Sequence, residues 1–158
     1  MLRNDFFAKP YDATLLTASI LKRLGSGNVD SFEQRLKSQK IQYLAQIFGV
    51  SPIYPFNLYL RGPYSPDLAH DLFRIKEKNI EVKVDKFIAE DLEDRFNRLN
   101  NFIKGKSTRQ LELIATLHWL LKIAKLSLIE AKRQLVEIKN VNHVEMKYTI
   151  QSVNEFIK

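Results

Sequence analysis

Residues 31–75, SFEQRLKSQKIQYLAQIFGVSPIYPFNLYLRGPYSPDLAHDLFRI, decide how the chain is read. Ser31 with Gln34 three positions on is a capping box, in which each side chain satisfies a backbone N–H of the first helical turn. Leu36, Tyr43, Leu44, Ile47 and Phe48 then recur at helical spacing, and Gly49 can take the left-handed position after the helix end. Lys40 interrupts that apolar stripe. Two readings of it stay open: a stem that carries its ammonium out to water, or a partly buried cation that needs a carboxylate.

Past the helix, Phe56, Leu58 and Leu60 alternate with Asn57, Tyr59 and Arg61, which predicts a strand over 56–61 with the first three facing inward. Gly62-Pro63 ends it. Ser65 stands as an N-cap, with Pro66 at the first helical position, where a missing N–H costs nothing. Asp67 and Asp71 fall in the early turns and suit the helix dipole, while Leu68, Leu72 and Ile75 form the buried stripe. An anion could sit at this helix start beside Arg61, yet Asp67 already answers the dipole, so the corner reads as fold punctuation.

Working outward, Phe6 and Phe7 are expected to tuck against the core. Asp12 is expected to cap a first helix carrying Leu15, Leu16, Ala18, Ile20, Leu21 and Leu24, closed by Gly25-Ser26-Gly27-Asn28. Ile80, Val82 and Val84 alternate with polar residues and predict a second strand, expected to pair with 56–61. Helix, strand, helix, strand in this order is also the order of a winged-helix corner. From Glu90 the pattern is helical throughout. Leu92, Phe96, Leu99 and Ile103 make one stripe, with Asn100-Asn101 and Gly105 marking its end. Ser107 with Gln110 caps a helix that is apolar on nearly every side through Ile123, hence enclosed, with Trp119 in the core. Ser127 with Glu130 opens a helix bearing Leu128, Ala131 and Leu135. Asn142 with Glu145 opens the last, bearing Met146, Ile150, Val153 and Ile157. The expected fold is mainly α: a single helical domain over 1–158, of about six to seven helices with a minor two-stranded β element.

Composition narrows the function. The chain of 158 residues is 45% hydrophobic and 27% charged, as an ordinary globular protein is. It has no cysteine, which excludes disulfides and a thiol nucleophile and fits a reducing cytoplasm. MLRNDFFAKPYD lacks the apolar run of a signal peptide, and LELIATLHWLLKIAKLSLI holds Glu112, His118, Lys122 and Lys125, so it reads as a core helix and not a membrane span. Net charge is +7, and Arg95, Arg98, Lys104, Lys106 and Arg109 fall in a window free of acids, a footprint open to DNA.

Catalytic and metal signatures are missing. His70, His118 and His143 have no partner at zinc-motif spacing, and His118 within an apolar helix reads as a satisfied core histidine. No G-x-S-x-G elbow or P-loop occurs. The acids Asp91, Glu93 and Asp94 sit at a helix start and do not face one another. The sequence reads as a non-enzymatic protein with no metal and no cofactor.

QKIQYLAQIFG, residues 39–49, followed by NLYLRGPYSPDLAHDL, residues 57–72, resembles the Panacea (SocA-like) antitoxin domain and the related YwgA-like bacterial and archaeal proteins. Gln39, Lys40, Tyr43, Leu44, Tyr59, Gly62 and Pro63 match the pattern, and LELIATLHWL at 111–120 is similar to the family's second helical signature. The antitoxin members typically read Gly-Pro-Val where this chain has Gly-Pro-Tyr-Ser, which is closer to the YwgA-like branch. The resemblance implies a helical, non-enzymatic domain that binds another protein, such as a cognate toxin. On that reading Lys40, Tyr59, Arg61, Tyr64 and Asp67 form the partner-binding surface. The alternative is a DNA-binding regulator using the wing-like ribbon and the basic segment. A symmetric homodimer is compatible with either.

Overall fold

The computed structural model describes residues 10–51, 54–78 and 90–157. Among them the architecture is mainly helical with one small two-stranded sheet. Helix α1 spans Pro10–Arg23 and α2 spans Phe32–Ile47; strands β1, Asn57–Tyr59, and β2, Gly62–Tyr64, form a hairpin. Then come α3 (Pro66–Lys78), α4 (Glu90–Ile103), α5 (Thr108–His118), a π-helical turn Trp119–Ile123, α6 (Leu128–Lys139) and α7 (His143–Phe156). No described helix is long and apolar enough to cross a membrane.

Local signals govern the boundaries. All four capping boxes form, at Ser31/Gln34, Ser107/Gln110, Ser127/Glu130 and Asn142/Glu145. Each satisfies two backbone N–H groups that the helix cannot. Ser65 Oγ accepts from the N–H of Leu68 at the start of α3. Helix α1 begins at Pro10, ahead of the expected cap Asp12. Asn100 and Asn101 continue α4, which ends at Ile103 with Gly105 left-handed after it.

Helix α5 is the axle. Every residue from Leu111 to His118 is buried, and α2, α6, α7 and β2 pack around it. An all-round apolar helix can lower its free energy only by being enclosed. The ladder then widens: the N–H of Ala124 reaches Trp119 O at 3.0 Å, and Ile123, expected inside, is exposed. Trp119 is only partly buried.

The β element differs from the expected one. Tyr59 pairs with Gly62, Leu58 with Pro63 and Asn57 with Tyr64, so the Gly-Pro corner is itself the second strand. Leu60-Arg61 makes the two-residue turn, and Gly62 takes φ +86 behind it. A left-handed glycine lets the chain reverse at once, which a strand running through to Arg61 would not. Leu60, expected to face inward, is 81% exposed at the tip. The strand expected at Ile80, Val82 and Val84, and the packing expected of Phe6 and Phe7, lie outside the described residues.

Candidate functional site

The hairpin stands on a buried polar cluster drawn from three helices. Lys40 of α2 is fully buried, and its Nζ donates to Pro63 O at 2.7 Å. Glu112 of α5 is 4% exposed and accepts from Lys139 Nζ of α6 at 2.6 Å. Lys139 Nζ also donates to Leu60 O. Arg61, from the turn, reaches Glu112 at 3.4 Å and Glu33 at 3.1 Å, the latter at the surface. Beside them Gln39 clasps the backbone of Ser65, its Nε2 donating to the carbonyl at 2.9 Å and its Oε1 accepting from the N–H at 3.0 Å. The turn, the second strand and the approach to α3 are therefore held by side chains whose own burial requires those bonds.

The electrostatics are uneven. Three cations, Lys40, Lys139 and Arg61, surround one buried carboxylate. Desolvation drives the Lys40 ammonium down to about 7; Glu112 opposes the fall, and Lys139 and Arg61 reinforce it. Of the two sequence readings, the stem that snorkels is corrected: no part of Lys40 meets water, because α2 is walled by α5 and the hairpin. Gly62 is fitted against the same cluster. A Cβ there would lie 2.6 Å from Thr116 Oγ1 and 3.4 Å from Lys40 Nζ.

Of the five residues read as a partner surface, the structure brings four to this hairpin. Lys40 and Arg61 sit at its root and turn. Tyr59 and Tyr64 form an edge-to-face ring pair, 5.5 Å between centroids, across the two strands. Asp67 stands apart, exposed in the first turn of α3, and no hydrogen bond or ion pair joins it to the other four. Glu112, Lys139 and Thr116 escaped the sequence reading. The signal for Glu112 was present: an acid inside a helix apolar on all sides must be buried, and a buried carboxylate needs a buried cation.

Two further buried polar groups are structural. Asp71, read as a dipole partner, is a buried acceptor: Thr14 Oγ1 donates to it at 2.8 Å and Tyr54 OH at 2.7 Å, tying α1 to α3. His118 Nδ1 lies 2.7 Å from Tyr43 OH, and its ring packs on Phe156. Burial, helped by Lys122, lowers its pKa to about 4, so it is neutral in the core as expected. Among the described residues no three His, Asp or Glu side chains converge on a metal position.

The basic segment does not form one track. Arg95 pairs with Asp91 at 3.4 Å. Arg109 pairs with Glu145 at 3.2 Å and donates to Lys139 O at 2.8 Å, closing the end of α6. Lys106 donates to Phe102 O and lies 4.3 Å from the centre of that ring. Arg98 and Lys104 are exposed. No family model, curated protein or solved structure matches the chain.

Proposed function

We propose that the chain is a non-catalytic protein-interaction module that docks through the Tyr59–Tyr64 hairpin, in the role of the neutralising partner of a toxin. The observation that carries this reading is the contrast between tip and root. Leu60 is 81% exposed and Tyr59 is 48% exposed, while the peptide groups on either side are held by fully or nearly buried Lys40 and Lys139. The braced turn presents Leu60 between Tyr59 and Arg61, two residue types that carry interface hot spots. Its rigidity lowers the entropy lost on docking. Buried charges are a costly way to anchor a mere loop.

The test is co-expression with the products of neighbouring genes. A neighbour that is toxic alone, is neutralised by this chain and co-purifies with it supports the reading, provided Leu60→Asp abolishes both effects in a protein that still folds. If no neighbour is toxic or co-purifies, or if Leu60→Asp changes nothing, the reading is lost. The DNA-binding alternative has less support, because Arg95, Lys106 and Arg109 are already engaged within the chain. It requires a duplex shift at low salt that falls steeply as salt is added.

A further inference from the structure

A second surface, away from the hairpin tip, has the chemistry of a binding groove. Helices α6 and α7 both pack on α5 and leave between them a trough of about 700 Å³. Its floor is apolar, made by Val136, Met146 and Ile150; its rim carries Lys132, Arg133 and Lys147. Glu137 is the single acid in the lining. None of the three rim cations forms an ion pair with a described carboxylate, whereas Lys139 of α6 pairs with Glu112 and Arg109 of α5 pairs with Glu145.

The helix that builds one wall leaves apolar side chains in water beside its charged ones. Of the twelve residues of α6 only Ala131, Leu135 and Lys139 are buried. Leu128, expected inside, is exposed, and so are Ile129, Val136 and Ile138 of α6 and Val144 of α7; of these Val136 lines the trough. Five of the ten exposed large hydrophobic residues among those described therefore lie on this pair of helices. Exposed apolar side chains beside unpaired charges mark a site of association.

We infer that the α6–α7 trough takes an amphipathic helix of a partner protein, with its apolar stripe on Val136, Met146 and Ile150 and its carboxylates on the Lys132, Arg133 and Lys147 rim. Charge selects this occupant. A second copy would bring a rim of the same sign against the first, and like charges facing across an interface oppose docking. An amphipathic helix can lay its apolar stripe along the line between two such helices and set its carboxylates on the cations beside it.

The experiment is selection of the intact chain against a phage-displayed library of random peptides, followed by fluorescence anisotropy on the enriched sequences. The expected peptides carry apolar residues at i, i+3 or i+4 and i+7 with flanking Asp or Glu. Lys132→Glu with Lys147→Glu should weaken them about tenfold or more, and exchange of their acids for lysine should restore binding to that variant. Val136→Asp should abolish binding. Leu60→Asp should leave it unchanged, so this surface and the hairpin stand or fall separately. Lys132, Val136 and Lys147 are exposed helix sites, and circular dichroism checks that the variants fold. The proposal is overturned if no peptide is enriched, if enriched peptides lack acids, or if binding ignores the groove substitutions. It is equally overturned if sedimentation shows a dimer that Val136→Asp dissolves, or if vesicles of phosphatidylserine and phosphatidylcholine compete for the same residues.

Discussion

Helices α2 and α6 exchange the environments their compositions suggest. Helix α2 carries Ser38, Gln39, Lys40 and Gln42 among its buried residues, while α6 leaves Leu128, Ile129, Val136 and Ile138 in water. The difference lies in what surrounds each. Helix α2 is hemmed by α5, α3, α4 and β2; α6 packs mainly on α5 and the π turn. Most polar side chains inside α2 find a partner: Gln39 on Ser65 and Lys40 on Pro63 of neighbouring elements, Ser38 on the carbonyl of Gln34 one turn back, while the Gln42 amide has no hydrogen-bond partner among the described residues. Burial of a polar group is tolerable when its hydrogen bonds are replaced. Nothing equivalent among the described residues covers the exposed apolar side chains of α6, and two proposals follow from the two halves of this contrast: a hairpin braced from within and a groove open to a partner.

The sharpest way to break the comparison is to remove the carboxylate buried beneath the hairpin. Glu112→Gln leaves Lys139 and Lys40 facing each other without an anion between them, and should destabilise the fold by about 3–5 kcal/mol in chemical denaturation. A loss below about 1 kcal/mol would mean that the cluster is wetter and weaker than its geometry implies.

The next effect is on pH. Folded Lys40 holds its proton less tightly than an unfolded lysine, whose pKa is 10.5, since its own is lowered to about 7. Between these values the unfolded chain binds the additional proton, so stability rises as pH rises from 7. The slope contributed approaches about 1.4 kcal/mol per pH unit. Below pH 7 both states are protonated and the contribution is flat. Denaturation measured from pH 7 to 9 should show the rise, and Lys40→Met should remove it. An unchanged slope in that variant would assign the pH dependence elsewhere.

Gly62→Ala should cost about 2 kcal/mol, from a left-handed φ and from crowding against Thr116 Oγ1 at 2.6 Å. Thr116→Ala in the same chain removes the crowding and leaves the backbone strain, so thermal melts of the double variant should recover part of the loss. Additive losses would rule out that contact as the cause. The smallest effect is expected on the other helix: Ile129→Lys, at a side chain 81% exposed, should alter stability by no more than about 0.5 kcal/mol. A large loss there would show that α6 is covered in solution, by a second copy or by the chain itself.

Much of the fold was legible because its signals are local. Ser31, Ser107, Ser127 and Asn142 each cap a helix with a partner three residues away, and Leu36, Leu44, Leu99, Leu135 and Val153 are buried as their periodicity predicts. Lys40 stood out as an interruption in an apolar stripe, which located the site without explaining it. Asp71 misled, because a carboxylate one turn into a helix has a ready dipole explanation; its partners, Thr14 and Tyr54, are 57 and 17 residues away. The hairpin misled for a related reason: an alternating run does not say which segment it pairs with, and here the pairing turns back at once on Gly62.

What the amino-acid order determined by itself is where helices begin and end and which stripe of each is oily, since caps and periodicity act over three or four residues. Which polar groups lie inside was decided only by the tertiary structure. Lys40, Glu112 and Lys139 come together across separations of 27 residues and more, and a buried charge is stable only where the whole fold delivers its counter-charge and its carbonyls to one place.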